Sequence, residues 1–342
     1  MSLRALARKL GVSSTTVSLA LRDSPRVSPE LTARIKRLAQ AANYVPNARL
    51  AELMTEVQRG TSSAFRASLG IFSLYPQKEP WRDHPHLKVL IEQGTATARQ
   101  HGYLAEYFWF KQPGLSPERF RAILRARNTC GLFCLGSADP DELYPDQLRD
   151  LAVVTFAASI RSRLHRVASH CAADAATLFD QLLARGYRRP GLALLVHGDR
   201  RTAYAYSATY LSVVERLLPA ARALPILRAD TWDAAAFDHW FTAHRPDVIV
   251  LHQDFPYIQG VEHCLRRHRL QVPRDVGLAL LDKIPDRTRY SGICQSIPRM
   301  ATAAVELLIS RMRIGDLRTP DYPKIELVIG DWNEGRTLRP PP

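Results

Sequence analysis

Residues 3–21, LRALARKLGVSSTTVSLAL, constrain the fold of this chain more than any other stretch. Leu3, Leu6, Ala7 and Leu10 recur at helical spacing, so a first short helix carries one apolar face. Gly11 follows, where a Cβ would crowd a chain reversal. Ser13 is placed to cap a second helix, in which Val17, Ala20 and Leu21 share one face. Two such helices around a glycine turn are the pattern of a helix-turn-helix, a unit that lays its second helix in a DNA major groove. The outward face of that helix offers Ser14, Thr15, Thr16, Ser18 and Leu19, mostly small hydroxyl side chains that permit close approach to base edges and phosphates.

A third helix is announced by Ser28-Pro29-Glu30, a capping serine, a proline at the first helical position and an acid against the positive helix end. Leu31, Ile35, Leu38 and Ala42 give it a core stripe and Asn43 can end it. Taken alone, three small helices also fit a helical cap on a larger domain. The segment after them narrows the choice.

VSSTTVSLALRDSPRVSPELTARI, followed by NYVPNARLAEL, is similar without a gap over about 55 residues to the DNA-binding signature of the lactose-repressor (LacI) family of bacterial transcription regulators. The resemblance implies that Asn47 to about Met54 is a hinge helix, ordered when paired with its dimer mate on DNA. It also implies that Leu53 is the leucine that wedges into a central minor-groove base step. Physics is compatible with both: eight residues are too few for a stable isolated helix, and an apolar wedge can unstack a step in exchange for a bent duplex. Ser14, Thr15 and Leu19 fall on the family's base-reading positions. Leu19 stands where some members carry Arg, so an apolar contact such as a thymine methyl is expected, with Arg22 as the charged contact. Ser2, Asn47 and Arg49 complete the expected DNA set, the last two as backbone-positioning groups. The plainer alternative makes Leu50 and Leu53 an amphipathic linker packed on the body.

Charge favours the same partner. The chain carries a net +14, and residues 1–60 hold ten Lys or Arg against four acids, the excess that phosphate neutralisation requires. No run of about 20 apolar residues occurs and residues 1–20 do not read as a signal peptide, so no membrane is expected and a cytoplasmic location is. Five scattered cysteines without a CxxC spacing read as reduced thiols.

From Leu69 onward, apolar runs at 69–74, 130–136, 151–157, 190–196, 246–252 and 276–282 alternate with helical patterns at 87–101, 117–127, 173–186, 204–218, 257–269 and 298–313. That alternation predicts doubly wound parallel sheets. HPHLKVLIEQGTATARQHGYL, VPRDVGLALLD and ICQSIPRMATAAVELL, among others, are similar to the LacI family's effector domain, two α/β lobes like a periplasmic sugar-binding protein. The expected whole is multidomain. An all-α helix-turn-helix domain (1–46), a hinge helix (47–57) and a connector (58–68) lead into a two-lobed α/β periplasmic-binding-protein-like domain (69–342). The resemblance implies crossovers near 158, 286 and 318, giving an N-lobe of about 69–158 and 287–318 and a C-lobe of about 159–286 and 319–342.

Open α/β sheets bind ligands at strand carboxyl ends. Asp282 ends the VGLALL strand and matches a family acid that often bonds a sugar hydroxyl; it can equally cap the next turn. Gln253-Asp254 follow DVIVLH, Arg201 and Tyr204 lie where the family often places an effector-binding Arg, and His170 replaces a common Asp. Together with Lys283 in place of a second acid, these departures argue against a standard hexose. The expectation is a homodimeric DNA-binding regulator, a repressor, on near-palindromic operator DNA, with affinity modulated by a small effector such as a sugar or derivative. Two alternatives stand: a sugar-binding protein or enzyme on the same scaffold, and a repressor that needs no ligand. HExxH, GxSxG and GxxxxGK[ST] are all absent, so catalysis, a cofactor or a metal is not expected. His84-Pro85-His86 reads as an exposed loop, and Trp232, Trp240 and Trp332 as packing residues.

Overall fold

The computed structural model describes residues 11–13, 16–17, 20, 27–41, 67–139, 141–217, 224–252, 255–283 and 289–341. The chain divides into two compact units, Met1–Ala64 and Phe65–Pro342.

In the small unit Gly11 takes φ +66°, the left-handed conformation a glycine turn requires. Ser13 caps the helix behind it: its Oγ accepts from Thr16 N at 3.0 Å and bonds Thr16 Oγ1 at 2.8 Å. Helix α1, Pro29–Ala41, begins where Ser28-Pro29-Glu30 predicts. Its Ile35 and Ala39 meet Val17 and Ala20 in a miniature core, with Val12, Val27, Leu31 and Leu38 packed against it. Of the apolar residues that announced the helix-turn-helix, Val17 and Ala20 lie in this core, while Leu3, Leu6, Ala7, Leu10 and Leu21 lie outside the described residues.

The large unit contains two six-stranded sheets. The first has the order β11-β5-β4-β3-β1-β2, all parallel: β1 (Ser68–Ser73), β2 (Leu104–Trp109), β3 (Thr129–Cys134), β4 (Ala152–Phe156), β5 (His165–Ser169) and β11 (Ile325–Val328). The second has the order β12-β10-β9-β8-β6-β7: β6 (Pro190–Leu195), β7 (Leu227–Ala229), β8 (Val248–Leu251), β9 (Gly277–Lys283), β10 (Ser291–Cys294) and β12 (Asp331–Asn333), which alone runs antiparallel. Helices α2 (His86–Gln100) and α3 (Pro117–Ala126) belong to the first lobe; α4 (Cys171–Ala184), α5 (Val196–Arg201), α6 (Ala205–Leu217), α7 (Ala234–His244) and α8 (Phe255–Arg267) belong to the second; α9 (Ile297–Arg313) returns to the first. All six strands and six helices expected in this region are present, within about two residues at most ends. Each sheet is buried on both faces by apolar clusters, which is why its central strands read as unbroken apolar runs.

The lobe boundaries differ from expectation by about ten residues each. The chain crosses between Ser169 and Cys171, at Gln295–Ser296 and at 329–330, not near 158, 286 and 318. The first lobe therefore spans 68–169 and 297–328, the second 170–294 and 329–341. The misplacement has one cause. Strands β5 (HRVAS), β10 (SGIC) and β11 (IELV) are short, mixed in polarity, and carry the chain to each crossing. Without them the crossings move back to the preceding strong apolar strand or loop.

Candidate effector cleft

Between the lobes of the large unit lies a cavity of about 650 Å³, the size of a small-ligand site. His86 and Phe156 reach it from the first lobe, with Arg166 and Ser169 on β5 and Ile325 and Leu327 on β11. The second lobe contributes His197 and Arg201 on α5, Tyr206 on α6, His252 after β8 and Asp282 on β9. His170, Cys171 and Gln295 stand at the crossings themselves. Strand ends of both sheets therefore converge on one space, as open α/β architecture dictates.

Asp282 lines this cavity near the end of β9, with Oδ2 3.6 Å from His252 Nε2. Burial pushes its carboxyl up to about 7. Burial also raises the Cys171 thiol and the Tyr206 hydroxyl, and the Asp282 charge adds to both. The Tyr206 hydroxyl and the Cys171 thiol face each other, and among the described residues no hydrogen-bond partner reaches Asp174 Oδ2. Asp174 Oδ1 accepts from Gly330 N at 2.9 Å, tying α4 to the third crossing. His170 is the N-cap of α4, its Nδ1 accepting from Ala173 N at 3.2 Å, so it fills the capping role a carboxylate there would. In the neutral ring that bond leaves the proton on Nε2. His86 is pushed down to about 4 by burial, then by His84 and Arg201, and is neutral at pH 7.

A consequence for stability follows from Asp282. Its folded value lies above the unfolded 3.8, so stability is fully present below about pH 4 and lost as pH rises through 7. Asp282→Asn is expected to gain on wild type as pH rises through that range, by at most roughly 4 kcal/mol at pH 8, less whatever water at the 21% of side-chain surface left open screens. Melting curves at pH 4 and pH 8 check this; the same difference at both would contradict it.

Of the expected effector residues, Asp282, Arg201 and His170 do line the cavity. Tyr204 does not: it sits exposed in the turn before α6 at φ +62°, and Tyr206 faces the cleft in its place. Helical geometry explains the exchange, since α6 begins only at Ala205. Gln253 and Asp254 lie outside the described residues, as do Ser2, Ser14, Thr15, Ser18, Leu19, Arg22, Asn47, Arg49 and Leu53 of the DNA set. Thr16 is described and its hydroxyl is engaged with Ser13. His86 corrects the reading of His84-Pro85-His86 as an exposed loop: it opens α2, half-buried, 6.2 Å from the Phe156 ring. Arg166 and His252 carry no sequence signal of their own: β5 is short and mixed in polarity, and His252 simply follows an apolar strand.

The family description "Bacterial regulatory proteins, lacI family" matches residues 2–47, and "Periplasmic binding protein-like domain" matches residues 179–331. The chain belongs to the lacI family of bacterial regulatory proteins. It is a DNA-binding transcription regulator with an N-terminal helix-turn-helix domain and an effector-binding domain. The lacI-family relatives are regulators, not enzymes. No curated protein matches the chain by sequence. Among solved structures, the lac repressor dimer bound to operator and the anti-inducer ONPF is 15% identical, with 99% of each chain covered and a TM-score of 0.57. The transcriptional regulator CelR in complex with cellobiose is 17% identical over 98% of this chain and 99% of that one, at 0.56. A periplasmic binding protein/LacI transcriptional regulator from Alkaliphilus metalliredigens, complexed with D-xylulofuranose, is 15% identical over 80% of this chain and all of that one, at 0.55. At these identities the likeness establishes the fold, while the ligands belong to those proteins.

Proposed function

We propose that this lacI-family regulator is a repressor that binds near-palindromic operator DNA as a homodimer and releases or retains it according to a small molecule held in the interlobe cleft. The observation that carries the reading is the cleft itself: side chains from both lobes and from the crossings line one ligand-sized space. A ligand there that prefers one lobe arrangement over another shifts the population of DNA-competent dimers. One helix-turn-helix reads only a few base pairs, so two-fold pairing supplies the rest of the site.

Ser14, Thr15 and Leu19 read bases with Arg22 as the charged contact, Thr16, Ser18 and Ser2 complete the DNA-facing set, Asn47 and Arg49 position the backbone, and Leu53 opens the central step. Asp282, Arg201 and His170 contact effector, with Gln253 and Asp254 beside them. The work is done on chromosomal DNA in the cytoplasm, and among the described residues no helix is long and apolar enough to cross a membrane. Selection of random duplexes by the full chain tests the DNA half. It should return an inverted repeat, and Thr15→Ala and Leu19→Ala should each change the preferred bases. Enrichment of a single unpaired half-site, or preferences untouched by both substitutions, would overturn the assignment.

A further inference from the structure

The charge inside the cleft is unbalanced. Arg166 and Arg201 both line it, one from each lobe, and Asp282 is the only carboxylate among the described residues that does. Among the described residues neither arginine has a carboxylate partner. Arg166 donates to two backbone carbonyls, Ser162 O at 2.8 Å and Ala157 O at 3.4 Å, which orients the guanidinium but leaves it unneutralised. Burial lowers the affinity of Arg166 for its proton, the mark of a cation held away from bulk water without a counter-ion. Arg201 acts electrostatically on His86 and Tyr75 of the opposite lobe, so its charge is felt across the cleft. Asp282 cannot offset the pair fully at neutral pH, because its own burial favours the protonated form. His170 adds an N–H donor, and Cys171 and Ala172 bring the positive end of the 14-residue α4 to the same wall.

We propose that the effector is a small organic oxyanion, bearing a carboxylate or a phosphate, held by Arg166 from one lobe and Arg201 from the other. The inference rests on the reading that a small molecule in the cleft controls the protein. A guanidinium matches either oxyanion bidentately. Two like charges lining one cleft from opposite lobes repel when it is empty and are drawn together by a shared anion, so the grip supplies the unequal lobe preference that regulation needs.

The test uses the full chain and matched triads of compounds: glucose, gluconate and glucose 6-phosphate; ribose, ribonate and ribose 5-phosphate; cellobiose, cellobionate and cellobiose phosphate. Thermal shift finds binders, since a ligand of the folded state raises the melting temperature, and calorimetry gives their affinities. The expected result is binding by an acid or a phosphate at least tenfold tighter than by its neutral parent, the winning arm telling carboxylate from phosphate. Arg201→Gln, which removes no side-chain hydrogen bond or ion pair among the described residues, should weaken that binding at least tenfold, and Arg166→Gln likewise where its apo melting temperature is retained. Arg163→Gln and Arg200→Gln, exposed arginines beside the cleft residues that do not line it, carry the same charge change and should leave affinity intact. Neutral sugars binding as tightly as their anions, or affinity unmoved by Arg201→Gln, would overturn the oxyanion and keep the effector. No binding by any compound, together with operator affinity unaffected by cell extract, would overturn the effector reading and this proposal with it.

Discussion

A full-length Leu53→Ala variant is expected to bind its operator about a hundredfold more weakly while its affinity for random DNA changes little. The wedge acts only in the kinked complex, where it offsets an unstacking cost of a few kcal/mol, roughly two decades of affinity. Non-specific binding rests on phosphate contacts and needs no kink. Arg49→Ala separates the two effects from the other side: it should weaken both kinds of DNA and lower the slope of log affinity against log salt by about one. Titrations of operator and random duplexes at several salt concentrations measure both variants together. Equal losses on both DNAs for Leu53→Ala would reduce Leu53 to a packing residue of a linker helix.

Gly330→Val should destabilise the large unit, whereas Gly94→Ala should not. Gly330 sits at the third crossing, where a Cβ would lie 2.5 Å from Ile293 Cγ2 and 3.2 Å from the Cys294 carbonyl. Ile293 is fully buried in the second-lobe core, so neither neighbour can give way without moving sheet backbone. A loss of about 3 kcal/mol is expected, with part of the bond from Gly330 N to Asp174 going with it. Gly94 lies on α2, and its Cβ would meet Ile71, Phe133 and Val305 at 3.5–3.6 Å, ordinary contact. Alanine there reduces the entropy lost on helix formation and should be neutral or stabilising by up to about 1 kcal/mol. Thermal melts of the two variants decide the matter, and a tolerated Gly330→Val would show that the third crossing is looser than its contacts imply.

How much could be read from residues alone depends on where each signal resides. The helix-turn-helix was legible because its constraints are local: Gly11 must turn, Ser13 must cap, and Val17, Ala20 and Ile35 must meet. Central strands such as β3 and β8 were legible because burial on both faces leaves an apolar run. The crossing strands were not, since β5 carries His165 and Arg166 for reasons that lie outside itself. His165 accepts from Lys324 N at 2.9 Å and Arg166 turns into the cleft, both contacts distant in sequence. For the same reason the cleft was only half visible. Asp282, Arg201 and His170 stood at recognisable strand or helix ends, whereas His86, Arg166 and Tyr206 join them through lobe closure that no window of sequence contains.

In this regulator one small molecule in the cleft and one operator are expected to be thermodynamically linked through the chain. The most direct measurement takes the first compound of the matched triads that raises the melting temperature and closes the linkage cycle with the full-length protein. Operator affinity is measured with and without saturating compound, and compound affinity with and without saturating operator. The expected result is a change of fivefold or more in each, by the same factor, because the coupling free energy is shared. A compound that binds with identical affinity to free and operator-bound protein would contradict it.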